Sequence, residues 1–172
     1  MECFDRELLQ AKKFRVVERT EQRVSGPVRQ EIILHPGAVA ILPVVDAEHL
    51  CLIKNRRMAV ETTLVELPAG TLEMGEEPHA AAVRELREET GYTAEEIIPF
   101  GECFMSPGIL QEKMFFFIAR GLTSGESALE DDEQIETQIV TREEAMAMVL
   151  DGRISDAKTI VGLLLYAQLA IG

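Results

Sequence analysis

The segment 70–92, GTLEMGEEPHAAAVRELREETGY, constrains this chain more than any other. Pro78 suits a first helical turn, where its missing N–H is no loss, and Gly91 suits the left-handed position that stops a helix. The helix between them carries Glu85 and Glu89 one turn apart, so both carboxylates share one exposed face, with Glu88 beside them. Like charges at that spacing cost an isolated helix roughly 0.2–0.5 kcal/mol per pair, so a cation is expected to gather there. Clustered hard oxygen ligands suit magnesium or manganese rather than zinc, and magnesium is commonly held by one or two carboxylates plus substrate phosphates. The plain alternative is a solvated acidic face, with Arg84 paired to Glu88 and with Ala82, Val83 and Leu86 turned to the core.

The rest of the chain agrees with one compact enzyme. Its 172 residues, 47% of them hydrophobic, suffice for one sizeable core. Cys3, Cys51 and Cys103 are odd in number and form no CxxC pair, which supports neither a disulfide framework nor a zinc site. A reducing cytoplasm fits them. The N-terminus lacks a signal-peptide pattern, and no run approaches the roughly 18 apolar residues of a membrane span. The net charge of −13, from 30 acidic and 17 basic residues, argues against nucleic acid and anionic membranes as partners. It would also repel a pyrophosphate unless divalent cations bridged the two, although solubility alone accounts equally well for the surface charge as a whole.

Polar and apolar residues alternate through the first 35 positions around a Ser25-Gly26-Pro27 turn, predicting strands at 14–18 and 28–34 in an appended sheet. Residues 1–36 thus read as an N-terminal β arm and 37–172 as the main domain. There, GAVAILPVV and LCLIK flank Asp46-Ala47-Glu48-His49 as a hairpin, with further strands expected at 63–67, 113–119 and 135–140. Thr141-Arg142-Glu143-Glu144 is a capping-box pattern opening a helix that stops near Gly152. A last helix starts at Ser155 or Asp156, with Ile160, Leu163, Leu164 and Ala167 as its expected buried face and Lys158 in a structural role.

Gly70, five residues, Glu76, seven residues, Arg84-Glu85-Leu86, one residue, Glu88-Glu89, one residue, Gly91 and Tyr92 together resemble the complete box of the Nudix hydrolase family. The box covers 23 of 172 residues. The resemblance implies an α/β fold with a mixed sheet between helices, and hydrolysis of a nucleoside diphosphate linked to another group.

Outside the box, Pro107 of Ser106-Pro107-Gly108 lies sixteen residues after Gly91 and resembles the proline that marks the ADP-ribose pyrophosphatase branch. A simple Pro-Gly turn is the alternative. Glu112 matches an active-site glutamate of that branch. Asn55-Arg56-Arg57 and Glu66-Leu67-Pro68-Ala69-Gly70 resemble its Gln-aromatic-Arg and Glu-x-Pro-Ala-Gly segments, which makes Arg57 a substrate-contacting arginine and Glu66 its companion. Asn55 and Arg56 depart from that pattern. The segment from Gly152 to Thr159 also resembles the branch.

The acidic run Glu130-Asp131-Asp132-Glu133 follows a Gly-Ser-rich stretch and reads as a loop, solvated in most proteins. In ADP-ribose-cleaving members such a loop supplies a further metal ligand and the base. By position Glu133 resembles the ligand and Asp131 the base, where the family more often has Glu.

The resemblance therefore implies magnesium-dependent hydrolysis of ADP-ribose to AMP and ribose 5-phosphate, with manganese as an alternative metal. The Ala69 carbonyl, Glu85, Glu89 and Glu133 would hold the metal, and Arg84, Glu76 and Glu88 would orient the ligands. A homodimer is expected, with the arm serving the partner's nucleotide site and Phe4 or Phe14 as adenine platform. The rivals are a hydrolase of another nucleoside diphosphate sugar, such as GDP-mannose, and a catalytically silent ADP-ribose sensor.

Overall fold

The computed structural model describes residues 3–129 and 134–169. The arm consists of β1 (Cys3–Gln10), β2 (Arg15–Arg23) and β3 (Gly26–Leu34). β4 (Ala38–Pro43), β5 (His49–Arg57), β6 (Thr62–Glu66) and β7 (Ala69–Thr71) precede helix α1 (Pro78–Thr90). Then come β8 (Thr93–Phe104), β9 (Leu110–Gln111), β10 (Lys113–Thr123) and β11 (Ile135–Thr141), followed by α2 (Arg142–Leu150) and α3 (Ala157–Gln168).

β4 is buried at all six positions, as a strand covered on both faces must be. Its side chains alternate. Val39 and Ile41 pack with Ala81, Ala82 and Leu86 of α1, whereas Leu42 packs with Leu163 and Tyr166 of α3 and Met148 of α2. β10 follows the same rule, sending Phe117 and Ala119 to the α1 side and Ile118 to the other. β4 and β10 pair in parallel at the centre of a mixed sheet of order β7-β4-β10-β8, and β11-β5-β6 forms a second, antiparallel sheet. The expected mixed sheet between helices is the fold. Among the described residues no helix is long and apolar enough to cross a membrane.

The arm is a three-stranded antiparallel sheet that the short β9 joins in parallel beside β3. β1 carries no burial pattern, all eight residues being exposed, and so gives no periodicity to read. Cross-strand charge matching sets it instead. Asp5 lies opposite Arg19 and accepts two bonds from it, each 2.7 Å, while Arg6 lies opposite Glu18.

Several expectations need correction. The segments flanking residues 46–49 are joined by a turn, but only Val44 and Leu50 bridge before β4 and β5 diverge into different sheets. β8 was not expected, because Pro99 and Gly101 disguise it. It is an edge strand, and the pairing with β10 shifts at this point, leaving Phe100 to pack edge-on against Phe116. On α1, Ala81 is buried and Val83 is exposed. On α3 the buried face is Lys158, Thr159, Gly162, Leu163 and Tyr166, whereas Leu164 is exposed. Gly162 belongs to that face: a Cβ there would lie 2.6 Å from Leu67 Cδ1 and 3.3 Å from Phe116 Cδ1, so a glycine lets the Leu67 and Phe116 side chains approach the helix closely.

Candidate active site

α1 begins with Pro78 in its first turn and ends at Gly91, whose φ of 74° lets its N–H close on the Arg87 carbonyl at 2.9 Å. Gly91 meets a second demand. A Cβ there would stand 2.6 Å from the Gly125 carbonyl oxygen, because the chain after β10 crosses the end of this helix. There the Ala128 N–H donates to the Glu88 carbonyl at 3.0 Å.

Glu85 and Glu89 do share a face, but it is not the exposed one expected. Their relative exposures are 8% and 3%. Both lie against the backbone of β7, where the Ala69 N–H donates to Glu89 Oε2 at 2.8 Å. Gly70 has no side chain where Glu85 sits, since a Cβ would fall 1.7 Å from Glu85 Oε1. Helix periodicity aligns the two carboxylates, and the glycine strand lets them sink.

Arg84 organises the acidic groups around it. It donates to both oxygens of Glu76 at 2.9 Å, to Glu85 Oε1 at 2.6 Å, to Glu88 Oε2 at 3.0 Å and to the Thr71 carbonyl at 3.3 Å. The hydrogen bond with Glu76 is the main reason that the Arg84 pKa is raised, with Glu85 and Glu88 adding to it. The same bond holds Glu76 below the usual carboxylate range. Glu88 has the most open carboxylate of the cluster, its side chain being 37% exposed against 11% for Glu85.

A second charged group gathers around Glu66, at the end of β6. Arg57 grips Glu66 through Nε–Oε1 at 2.9 Å and Nη2–Oε2 at 2.6 Å. Glu66 is wholly buried, and its Oε2 also accepts from Lys158 Nζ at 2.6 Å. The Arg57 pKa is raised, chiefly by this bond to Glu66, and the Glu89 and Asp156 carboxylates add smaller electrostatic contributions. Arg57 itself keeps a side chain 40% exposed.

Pro107, Gly108 and Glu112 stand at the junction with the arm. Pro107 and Gly108 line a hollow with Arg19, Gln30, Ile32 and Phe104, and Gln30 Nε2 donates to the Gly108 carbonyl at 2.5 Å. Glu112 faces His35 at 3.7 Å. Asp131 and Glu133 lie outside the described residues. The chain approaches them from Ala128, bonded to α1, and leaves them at Ile135, paired with Asn55 beside Arg57. Sequence reasoning gave Thr159 no role and Lys158 no partner; a charged residue two positions after an N-cap was the signal on offer.

The donor set near β7 suits a hard divalent cation: two buried carboxylates packed against a strand whose glycine leaves room for them. Among the described residues no three His, Cys, Asp or Glu side chains are already gathered as a metal cage.

Comparison with known proteins agrees with this fold. The NUDIX domain model matches residues 34–161. The chain is 43% identical over 145 residues to the ADP-ribose pyrophosphatase of Bacillus subtilis (strain 168), covering 83% of this chain and 78% of that protein. It is 37% identical over 143 residues to the methanol dehydrogenase activator of Bacillus methanolicus, covering 82% and 77%. The GDP-mannose pyrophosphatase of Yersinia pestis (strain Pestoides F) is 41% identical over 109 residues, covering 62% of this chain and 54% of that protein. The crystal structure of an ADP compounds hydrolase matches the fold with a TM-score of 0.80 at 25% identity, over 95% of this chain and 90% of that one.

Proposed function

This chain belongs to the Nudix hydrolase family, and on that premise we propose that it hydrolyses the pyrophosphate bond of ADP-ribose to AMP and ribose 5-phosphate. The observation that carries the reading is the pair of buried carboxylates, Glu85 and Glu89, set against residues 69–70 within the electrostatic reach of Arg57. The ADP-ribose pyrophosphatase relative at 43% identity supports this substrate.

Glu85, Glu89, the Ala69 carbonyl and Glu133 would hold magnesium, or manganese in its place. When bound, the cation neutralises charge on the phosphorus oxygens. Arg84 keeps the Glu85 carboxylate in place, and Glu76 and Glu88 fix Arg84 in turn. Arg57, held by Glu66, offers its guanidinium to the anionic substrate. Glu66 acts through Arg57, being buried itself. Pro107, Gly108 and Glu112 shape the substrate side near the arm. Asp131 takes the proton of the attacking water as its oxygen bonds to phosphorus and the bridging P–O bond breaks.

The arm, residues 1–36, would complete the partner's nucleotide site in a homodimer, with exposed Phe4 or Phe14 beneath the adenine. The unpaired cysteines support a reducing cytoplasm as the compartment. GDP-mannose is the second reading, carried by the GDP-mannose pyrophosphatase relatives, of which this chain spans about half the length. Product analysis with ADP-ribose, GDP-mannose and magnesium tests both. AMP from ADP-ribose is the expected result, GMP alone would favour the second reading, and binding without products would leave only a sensor.

A further inference from the structure

We infer that Lys158, at the start of α3, is a positioning residue for substrate binding that acts through Glu66 on Arg57. The inference rests on the proposed role of Arg57 as the contact for the anionic substrate.

Lys158 is 8% exposed, and the roles assigned above do not employ it. Its Nζ donates to Glu66 Oε2 at 2.6 Å and lies 3.0 Å from Asp156 Oδ2. Glu66 Oε2 is also the atom that receives Arg57 Nη2. One carboxylate oxygen is therefore shared by two cations, one buried and one facing the site. The four groups balance as two cations, Arg57 and Lys158, and two anions, Glu66 and Asp156. Such balance is required at Glu66 and Lys158, which are buried.

The geometry makes Glu66 a lever. A guanidinium bonded through Nε and Nη2 has its plane set by the carboxylate it grips. The carboxylate plane is in turn set by whatever else holds its oxygens, and here that is Lys158. Asp156 anchors Lys158 while capping α3 through the Thr159 N–H at 3.0 Å. The Thr159 hydroxyl donates to Asp156 Oδ2 at 2.6 Å and accepts from the Leu67 N–H at 2.8 Å. One helix start thus holds both Glu66 and Leu67. Beyond Pro68, Ala69 and Gly70 touch Glu89 and Glu85. A merely structural lysine would stabilise this corner without changing how substrate is held.

The test is steady-state kinetics with ADP-ribose at saturating magnesium, with melting curves on every variant. Lys158→Met is expected to raise KM about tenfold, the value of one charge-assisted contact, while kcat falls less. Lys158→Arg keeps a cation on Glu66 and is expected to restore KM. In an Arg57→Ala background, Lys158→Met is expected to add nothing, because the two residues act as one unit. Should Lys158→Met fail to fold, Lys158→Gln leaves a polar group in the buried corner without the cation and is expected to show the same rise in KM. A folded Lys158→Met or Lys158→Gln variant with unchanged KM, or an equal rise in the Arg57→Ala background, would overturn the inference. Unchanged KM in Arg57→Ala alone would overturn the substrate role of Arg57, and this inference with it. A loss in Arg57→Ala with none in the Lys158 variants overturns the inference alone.

Discussion

Gly70→Ala is the smallest change that addresses the metal face alone. The new Cβ would fall 1.7 Å from Glu85 Oε1, 1.9 Å from its Cδ and 2.3 Å from Oε2. Ordinary contact begins at 3.4 Å, so the carboxylate must retreat by about 1.7 Å. It can do so, because the obstructed atoms are the end of a flexible side chain rather than backbone. The helix and strand therefore stay, while Glu85 leaves the position it shares with Arg84 and β7. A misplacement of about 1 Å can cost roughly 100-fold in rate, so turnover of ADP-ribose with magnesium should fall by at least about that factor. Stability should change far less. One displaced hydrogen bond is worth about 1 kcal/mol, and for a chain of this length that lowers Tm by roughly 2–4 °C. Product release measured beside calorimetric melting separates the two effects. A folded Gly70→Ala enzyme with near-normal turnover and unchanged magnesium dependence would refute the reasoning that Glu85 works from that position.

Glu89→Gln keeps an acceptor for the Ala69 N–H but removes a charge, so it should fold normally and lose roughly 10²–10³ in kcat, as when one transition-state-stabilising group is removed; near-normal turnover would sink the metal assignment. Asp131→Asn should lower kcat more than it raises KM, whereas Glu133→Gln should also weaken magnesium activation, and full activity in both would mean that the loop is only solvated. A chain starting at Leu34 should stay folded yet lose ADP-ribose affinity, and the full chain should have a dimer's mass in solution; a monomer, or a shortened chain that binds equally well, speaks against the role of the arm. The Glu76 pKa is depressed in the folded state, chiefly by its bond to Arg84, so its contribution to stability is present above its ordinary value of 4.5 and is lost as pH falls through the lower folded value. Glu76→Gln should therefore flatten the fall of Tm below about pH 4.5, and an unchanged curve would show that the pair contributes nothing.

Local chemistry determined a good deal of this protein. The proline and glycine that bracket α1, the one-turn spacing of Glu85 and Glu89, the Thr141 cap, the start of α3 at Ser155 or Asp156 and the apolar run of β4 were all legible, because each depends on residues within a few positions of one another. Elements whose cause lies elsewhere in the chain were not. β1 owes its place to the charges of β2 that face it, and β8 to a β10 that tolerates its proline at an edge. The buried face of α3 includes Gly162 where it meets Leu67, a contact that periodicity could not choose, since Leu164 offered an equally apolar alternative. The candidate site divides in the same way. Periodicity put two carboxylates on one side of a helix, but only the approach of β7, possible at a glycine, sank them into the fold. Glu66 and Lys158, far apart along the chain, became one buried charged unit only when the start of α3 met the end of β6, because the low dielectric there leaves each charge in need of the other.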